Sequence, residues 1–503
     1  MNTGTNVSKE TIDLFKSALG AGTDAFGQPL RKDISLSTGL VYYDLQAPAK
    51  NLYPTITPIR NSLPRVHRPH SGGASNWKQI TSLVGSGWDS MGWVPEGQRS
   101  GRMNYVTANK SATYVTLGEE DSLTFEAESA AQGFEDENAM LSMRLMQKTM
   151  RKEEIGLLAG NATLALGTPG TPTVSASGSG ATLPTATYYV RVVALTLEGF
   201  KNSSIAGGVA TTKTITGADG NTFVLNGGSS NKSAEVNQGI TLGQTLFASI
   251  PVVTGAVGYA WFVGTASNTE YLQAITPINS CTFSAPISTS TQAIAAITAD
   301  SSTNPNYAYD GLLTQALNPA NLAYVNTLAT GVAGTGTVLT SSGRGSCNEI
   351  DLMMQKMWDN YNLGPTVLWV NSQQQKDITT KCLTSTSGPL LKYEVPTTPG
   401  QAYGIVAGGV IDFYFNPYTG QKIPVKVHPD VTPGTILGWC EKLPEWYQSN
   451  EVPNVAEILC RRDYYRMDWP LRTRKREYGV YAEQVLAIYA TFAMGVINNV
   501  AAG

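Results

Sequence analysis

The stretch ATYYVRVVALTLEG, residues 186–199, places Tyr188, Val190, Val192 and Ala194 on one face of an extended chain and closes at Glu198-Gly199. Period-two alternation marks a strand with a buried face. The stretch GAVGYAWFVGTASNTEYLQAITP, residues 255–277, repeats the pattern with Tyr259, Trp261 and Val263. Both lie in a block from Asn161 to Asp300 whose only charged residues are Arg191, Glu198, Lys201, Lys213, Asp219, Lys232, Glu235, Glu270 and Asp300, in a chain with 35 basic and 38 acidic residues. Gly, Ser, Thr, Ala and Val fill much of the rest, which suits short strands and turns rather than helices. Several strands at regular spacing predict a β-sandwich.

The flanks are rich in charge and aromatic residues, so one domain is expected to interrupt another. At 503 residues roughly two to four domains are expected. The net charge of −3 lacks the basic excess of a strong nonspecific nucleic-acid binder. Basic residues do cluster locally, at Arg461, Arg462 and Arg466 and at Arg472, Arg474, Lys475 and Arg476. Such a cluster suits a solvated or salt-bridged face, a neighbouring subunit or nucleic acid. No run of 18 apolar residues occurs, so no transmembrane helix is expected. The opening MNTGTNVSKETIDLF does not read as a secretory leader. Five scattered cysteines without a CxxC pair read as reduced thiols in a cytosolic folding compartment.

Before the block, residues 1–85 read as an extended arm, with a short helix near Lys9–Leu19 and then Pro29, Pro48, Pro54, Pro58, Pro64 and Pro69. A Pro-rich segment with few apolar residues cannot bury a core alone. From Gly92 to Glu128 the chain alternates, as in MNYVTANKSATYVTL (103–117), and predicts a long two-stranded hairpin entered by the turn Trp93-Val94-Pro95-Glu96-Gly97. Leu141, Leu145, Met146 and Met150 predict a helix over Glu135–Ala159, stopped by Gly160-Asn161.

After the block, Ser346-Cys347-Asn348-Glu349 has the pattern of a capping box, opening a helix stopped by Gly364-Pro365. Thr366–Val370 reads as a buried strand, a second helix begins near Gln373, and VIDFYFNPYTGQKIPVKVHP (410–429) reads as two strands about a turn at Asn416–Gly420. TPGTILGWC (432–440) gives another strand, and Glu457–Asn499 mixes strand and amphipathic patterns.

Catalytic chemistry needs convergent groups. The three histidines are His67, His70 and His428; the first two are spaced i, i+3 but have no third ligand nearby. No nucleophile elbow, phosphate loop or dinucleotide fingerprint occurs. The Gly334–Gly345 loop lacks the phosphate-loop lysine, and Glu119-Glu120-Asp121 reads as a solvated turn. No enzyme activity, cofactor or metal is expected.

The order of elements outside the block resembles that of tailed-phage major capsid proteins of the Hong Kong 97 fold. The resemblance rests on the arm, the hairpin with its WVPEG turn (93–97), the long helix and the capped helix followed by TVLWVNSQQQKDI (366–378). It extends through IPVKVHPDVTPGTILGWC (423–440) and VYAEQVLAIYATFAMGVINNV (480–500). The block resembles fibronectin type III and other immunoglobulin-like modules, though no paired cysteines staple it, Cys281 standing alone.

The resemblance implies an α+β fold: an N-terminal arm (1–85), an extended loop (86–130), the spine helix of a peripheral domain (131–163) and an immunoglobulin-like insertion (164–303). It continues with the rest of the peripheral domain (304–365), an axial domain (366–450) and a C-terminal part shared by both (451–503). It implies self-assembly through hexamers and pentamers into an icosahedral virion shell built in the host cytoplasm, with the insertion as an outward knob. Implied partners are other copies of the chain, a separate scaffolding protein, a portal and DNA packaged against the inner face without sequence specificity. A decoration protein or host-surface glycan could meet the insertion; no membrane is implied. Candidate intersubunit contacts are Trp93, Glu96, Arg99, Arg102, Lys110, Arg461 and Arg472. Some members cross-link through a loop lysine; Lys110 is the only lysine from Gly92 to Glu128, and no asparagine or glutamate partner is matched to it. The competing reading is a surface adhesion protein in which Tyr259 and Trp261 stack on sugars. The block is also expected to fold independently, so that removing Thr168–Ala299 would spare the host.

Overall fold

The computed structural model describes residues 55–68, 72–84, 91–131, 136–341, 343, 345–385, 388–389, 410–450 and 454–503. The expected helix near Lys9–Leu19 and His70 lie outside these. Helices and strands are mixed, as an α+β fold requires.

The long helix runs over Glu137–Ala159. Its buried face carries Leu145, Thr149, Glu153, Glu154, Leu157 and Leu158, at the spacing of one helical stripe. It crosses a four-stranded sheet ordered Arg65–His67, Ala456–Asp468, Lys475–Ile488 and Val115–Thr124. Leu145 packs there against Tyr478 and Val480. Gly118 lies opposite Tyr481, whose ring fills the space a Cβ would need.

A six-stranded sheet has the order Tyr324–Thr327, Met494–Asn498, Ile436–Trp439, Val367–Val370, Lys422–Val427, Phe413–Phe415. Its central strands are buried on both faces. Val367, Trp369, Leu437 and Trp439 enter the main core with Leu157 and Leu158, while Leu368, Val370 and Ile436 pack with Met353, Met354 and Met357 of the helix Asn348–Tyr361. Continuous apolar runs such as Val367–Val370 are what such strands require.

The expected capping box does not form. Cys347 is the cap residue and makes no side-chain capping bond. Glu349 instead accepts from the Thr340 amide at 3.0 Å and its hydroxyl at 2.6 Å, which draws the carboxylate away from the helix end. The helix stops before Gly364-Pro365, because Asn362 adopts the left-handed conformation (φ 50°) and donates back to the carbonyls of Met357 and Trp358.

The expected hairpin also differs. Its two strands exist, as Asn104–Thr113 and Val115–Thr124, but they do not pair with each other. Asn104–Thr113 pairs antiparallel with Ala74–Val84, from Ala74↔Thr113 to Val84↔Asn104, while Val115–Thr124 joins the four-stranded sheet beside Lys475–Ile488. Only Tyr114 separates the two strands, and it supplies none of the positive-φ residues a two-residue hairpin turn needs. Glu119, Glu120 and Asp121 therefore sit within a strand and not in a turn: Glu119 pairs with Lys152, and Glu120 accepts from the Tyr481 hydroxyl.

Within 161–300, two antiparallel sheets share one core. One contains Ala186–Leu195 and Gly258–Gly264 at its centre; the other contains Thr173–Ser177, Thr245–Ser249 and Ser280–Phe283. Tyr188, Val190, Val192, Tyr259, Trp261 and Val263 meet Leu246, Ala248 and Phe283. The reverse face of the first sheet is buried too, through Val193, Leu195, Ala260 and Phe262 against Ile294 and Ile297.

This block is joined to the rest by packing and polar bonds. Leu197 and Val257 belong to the main core. The Asn279 amide donates to the Asn499 side chain at 2.9 Å, and the Asn499 amide group returns a bond to Asn279 at 3.0 Å. Lys201 reaches Asp430 at 3.2 Å. Excising Thr168–Ala299 should therefore lower the melting temperature of the remaining chain by several degrees or abolish its soluble yield; an unchanged melting curve would make the block a passenger.

Adjacent buried glutamates hold these layers together. Glu153 accepts from Arg60 at 2.7 Å, from Arg65 at 2.6 Å and from the Tyr464 hydroxyl. Glu154 accepts the backbone amides of Ile59 and Arg60 at 2.9 and 2.7 Å and contacts His428 Nε2 at 2.7 Å. One turn away, Arg151 forms a two-pronged pair with Asp430. Burial acts to raise the Asp430 pKa, but Arg151 and Lys201 outweigh it and hold the carboxyl below its ordinary value. The resulting stability is present above the unfolded-state pKa and is lost as pH falls through the lower folded value. Asp430→Asn should cost about 3 kcal/mol near neutrality and flatten the acid limb of stability against pH, measured by urea unfolding; parallel acid limbs would contradict this.

Candidate assembly surface

The ribbon Ala74–Val84/Asn104–Thr113 has strands of 11 and 10 residues, which at about 3.4 Å per residue gives a reach of roughly 35 Å. Its base is fastened to the body. Trp77 packs edge-on against Tyr489 at 5.4 Å, and Lys110 Nζ donates to Asn321 Oδ1 at 3.2 Å. The other end differs: residues 91–105 are exposed throughout. Gln98 donates to the Pro95 carbonyl and Gly97 has φ 75°, so the expected turn is present. Trp93 is 90% exposed, beside exposed Met91, Val94, Met103 and Tyr105. Several large apolar side chains exposed on one loop suit an interaction site.

The seven candidate residues divide into distinct settings. Trp93, Glu96, Arg99 and Arg102 share the exposed loop. Lys110 is part-buried at the ribbon base, bonded within its own chain. Arg461 pairs with Glu483 at 2.8 Å and lies over the Tyr114 ring. Arg472 is exposed between the strands Ala456–Asp468 and Lys475–Ile488, near exposed Trp469 and Leu471.

Much of the C-terminal basic cluster is neutralised in place. Arg466 pairs with Asp468, Arg474 with Glu126, Lys475 with Glu477 and Arg476 with Glu128. This is the salt-bridged face among the alternatives its sequence allowed.

Sequence reading missed Met91, Met103, Trp469 and Leu471 as surface residues, and also Phe413 and Phe415. The two phenylalanines are exposed on an edge strand while Tyr414 between them is buried. Their alternation was visible, but not which face the sheet would cover.

The described residues contain no cluster of three His, Cys, Asp or Glu suited to a metal. His67 is exposed at the end of a strand, whereas His428 is fully buried against Glu154. A cavity of about 400 Å³ on the ribbon is lined by Asn76, Trp77, Lys78, Asn109, Lys110 and Ser111, without a carboxylate or histidine. Tyr259 and Trp261 are core residues, 2% and 0% exposed, so they cannot stack on a sugar.

No family model matches the chain, and no curated protein matches it. Among solved structures, it is similar to the capsid of a native GTA particle, at 9% identity and TM-score 0.41, over 96% of this chain and 100% of the other. It is similar to the holo-SrpI encapsulin complex of Synechococcus elongatus at 10% identity and TM-score 0.40, over 94% and 96%. A structure of Microbacterium phage Oxtober96 aligns at 8% identity and TM-score 0.41, over 93% and 99%.

Asn321, the partner of Lys110, also donates to Gln315. Lys110 and Asn321 are thus bonded within one chain, and none of the bonds they make among the described residues is to a carboxylate. Denaturing electrophoresis of assembled material should show one monomer band; a ladder abolished by Lys110→Arg would contradict this.

Proposed function

We propose that the chain is the major capsid protein of a tailed-phage shell with the Hong Kong 97 fold. The observation that carries the proposal is the ribbon: fastened at its base, exposed at its far end and tipped by Trp93. A two-stranded ribbon is marginal in water without a covering surface, and an apolar tip that its own body leaves uncovered suits a neighbouring copy. One patch meeting a different patch on the next subunit is a heterologous contact, which closes into rings when the rotation permits.

In this reading the four-stranded sheet and long helix, with residues 304–365, belong to the peripheral domain, and the strands and helix within 366–450 form the axial domain, directed toward fivefold and sixfold centres. The block 164–303 is an immunoglobulin-like insertion carried as an outward knob. Hexamers and pentamers enclose double-stranded DNA, held without sequence specificity, with help from a separate scaffolding protein and a portal. The shell is assembled in the host cytoplasm and becomes part of the virion. The chain acts structurally and not as an enzyme. The adhesion reading has less support, since the aromatic residues it needed lie in the sandwich core.

Negative-stain electron microscopy of the chain, co-expressed with its neighbouring genes, should show closed shells. Trp93→Ala should reduce shell yield at least tenfold while leaving a soluble chain with an unchanged melting temperature. Discrete small particles from the unaltered chain under all conditions would overturn the proposal.

A further inference from the structure

Cys347 and Cys382 stand apart from the other three cysteines because their sulfurs touch, at 3.7 Å. Both residues are essentially unexposed. Cys347 is the cap of the helix Asn348–Tyr361, and Cys382 lies in the last turn of Ser372–Leu383. The contact is framed by backbone bonds: the Cys347 amide donates to the Tyr414 hydroxyl at 2.7 Å, and the Gly345 amide donates to the Cys382 carbonyl at 3.0 Å. The two thiols are thus held in contact by elements 35 residues apart in sequence.

We infer that Cys347 and Cys382 are a latent disulfide site, dithiol in the reducing cell and oxidised once the protein meets a peroxide-class oxidant outside it. Either thiol can donate its S–H to the other, so a thiolate formed at one sulfur is held by its neighbour. That thiolate cleaves the O–O bond of hydrogen peroxide, giving a sulfenic acid and hydroxide. The second sulfur then displaces the sulfenic oxygen as water, losing its proton and forming the S–S bond. Two thiols are oxidised by two electrons, and one peroxide is reduced to two waters. Burial restricts the reaction to small oxidants and to local opening of the helix ends. The bond itself does not depend on the capsid reading; passage from cytoplasm to exterior does.

The bond would close a long loop through the six-stranded sheet, because the strand Val367–Val370 lies between the two cysteines in sequence. Such closure restricts the unfolded chain.

The full chain is exposed to hydrogen peroxide or left reduced, denatured and labelled with a maleimide that adds visible mass per thiol. The reduced chain should carry five labels and the oxidised chain three, with intact mass lower by two hydrogens and melting several degrees higher. Cys347→Ala and Cys382→Ala should each carry four labels when reduced and should form no intrachain disulfide under the same treatment. Five labels after oxidation, a mass gain from added oxygen in place of hydrogen loss, or an intrachain disulfide persisting in either variant would overturn the assignment. Label counting on soluble chain is independent of shell formation, so failure of the capsid reading is seen separately by microscopy.

Discussion

The structure depends on two adjacent carboxylates placed in the interior by one helix. Neither Glu153 nor Glu154 has any exposed surface, and buried charges are costly unless paired and fully hydrogen-bonded. The surroundings meet that demand from three directions. Arg60 and the amides at 59 and 60 come from the segment before the ribbon, Arg65 and Tyr464 from the four-stranded sheet, and His428 from the loop after the strand Lys422–Val427. Few other arrangements of these elements would satisfy both groups. Apolar burial supplies attraction without direction; the carboxylates add direction, and so fix how the two sheets sit around the helix.

The same logic links the block 161–300 to this centre. Lys201 shares Asp430 with Arg151, and Asp430 lies two residues beyond His428. A line of charge thus runs from the sandwich, through the loop 428–430, into the long helix. The Asn279–Asn499 pair makes a second attachment, with Asn499 at φ 61° so that its side chain can serve both Asn279 and the Leu328 carbonyl. Between these attachments the sandwich has little freedom to turn against the body that bears it.

Legibility in the sequence followed the range of the interaction. Elements set by local pattern were readable: the long helix from its stripe, Val367–Val370 from its apolar run, the strands about 416–420 from their turn, and both central strands of the sandwich from alternation. Partner choice was not, because it is non-local. Strand character in 104–113 and 115–124 was evident, yet their partners lie before residue 85 and after residue 474. Glu349 shows the same limit at smaller scale: its spacing suited a cap, and Thr340 competed for it. At the candidate surface, the turn Trp93–Gly97 was legible because its residues at 95 and 97 are local signals, but that Arg99 and Arg102 continue the same exposed loop, and not a hairpin strand, was not. Lys110 and Arg461 were not distinguishable from it, since their partners Asn321 and Glu483 are supplied by the fold. The Glu153–Glu154 pair gave no signal, because two acidic residues on a helix ordinarily face water.

The placement of Met494–Asn498 in the six-stranded sheet bears on synthesis. This strand lies between Tyr324–Thr327 and Ile436–Trp439, parallel to the first and antiparallel to the second. It leaves the ribosome after both of the strands it bridges, 324–327 and 436–439. Until translation has passed residue 498, the edge strand 324–327 has no neighbour and the apolar residues on both sides of the gap remain open to water. A chain broken off short of that point cannot close the sheet, so this core forms only after residue 498 has been made.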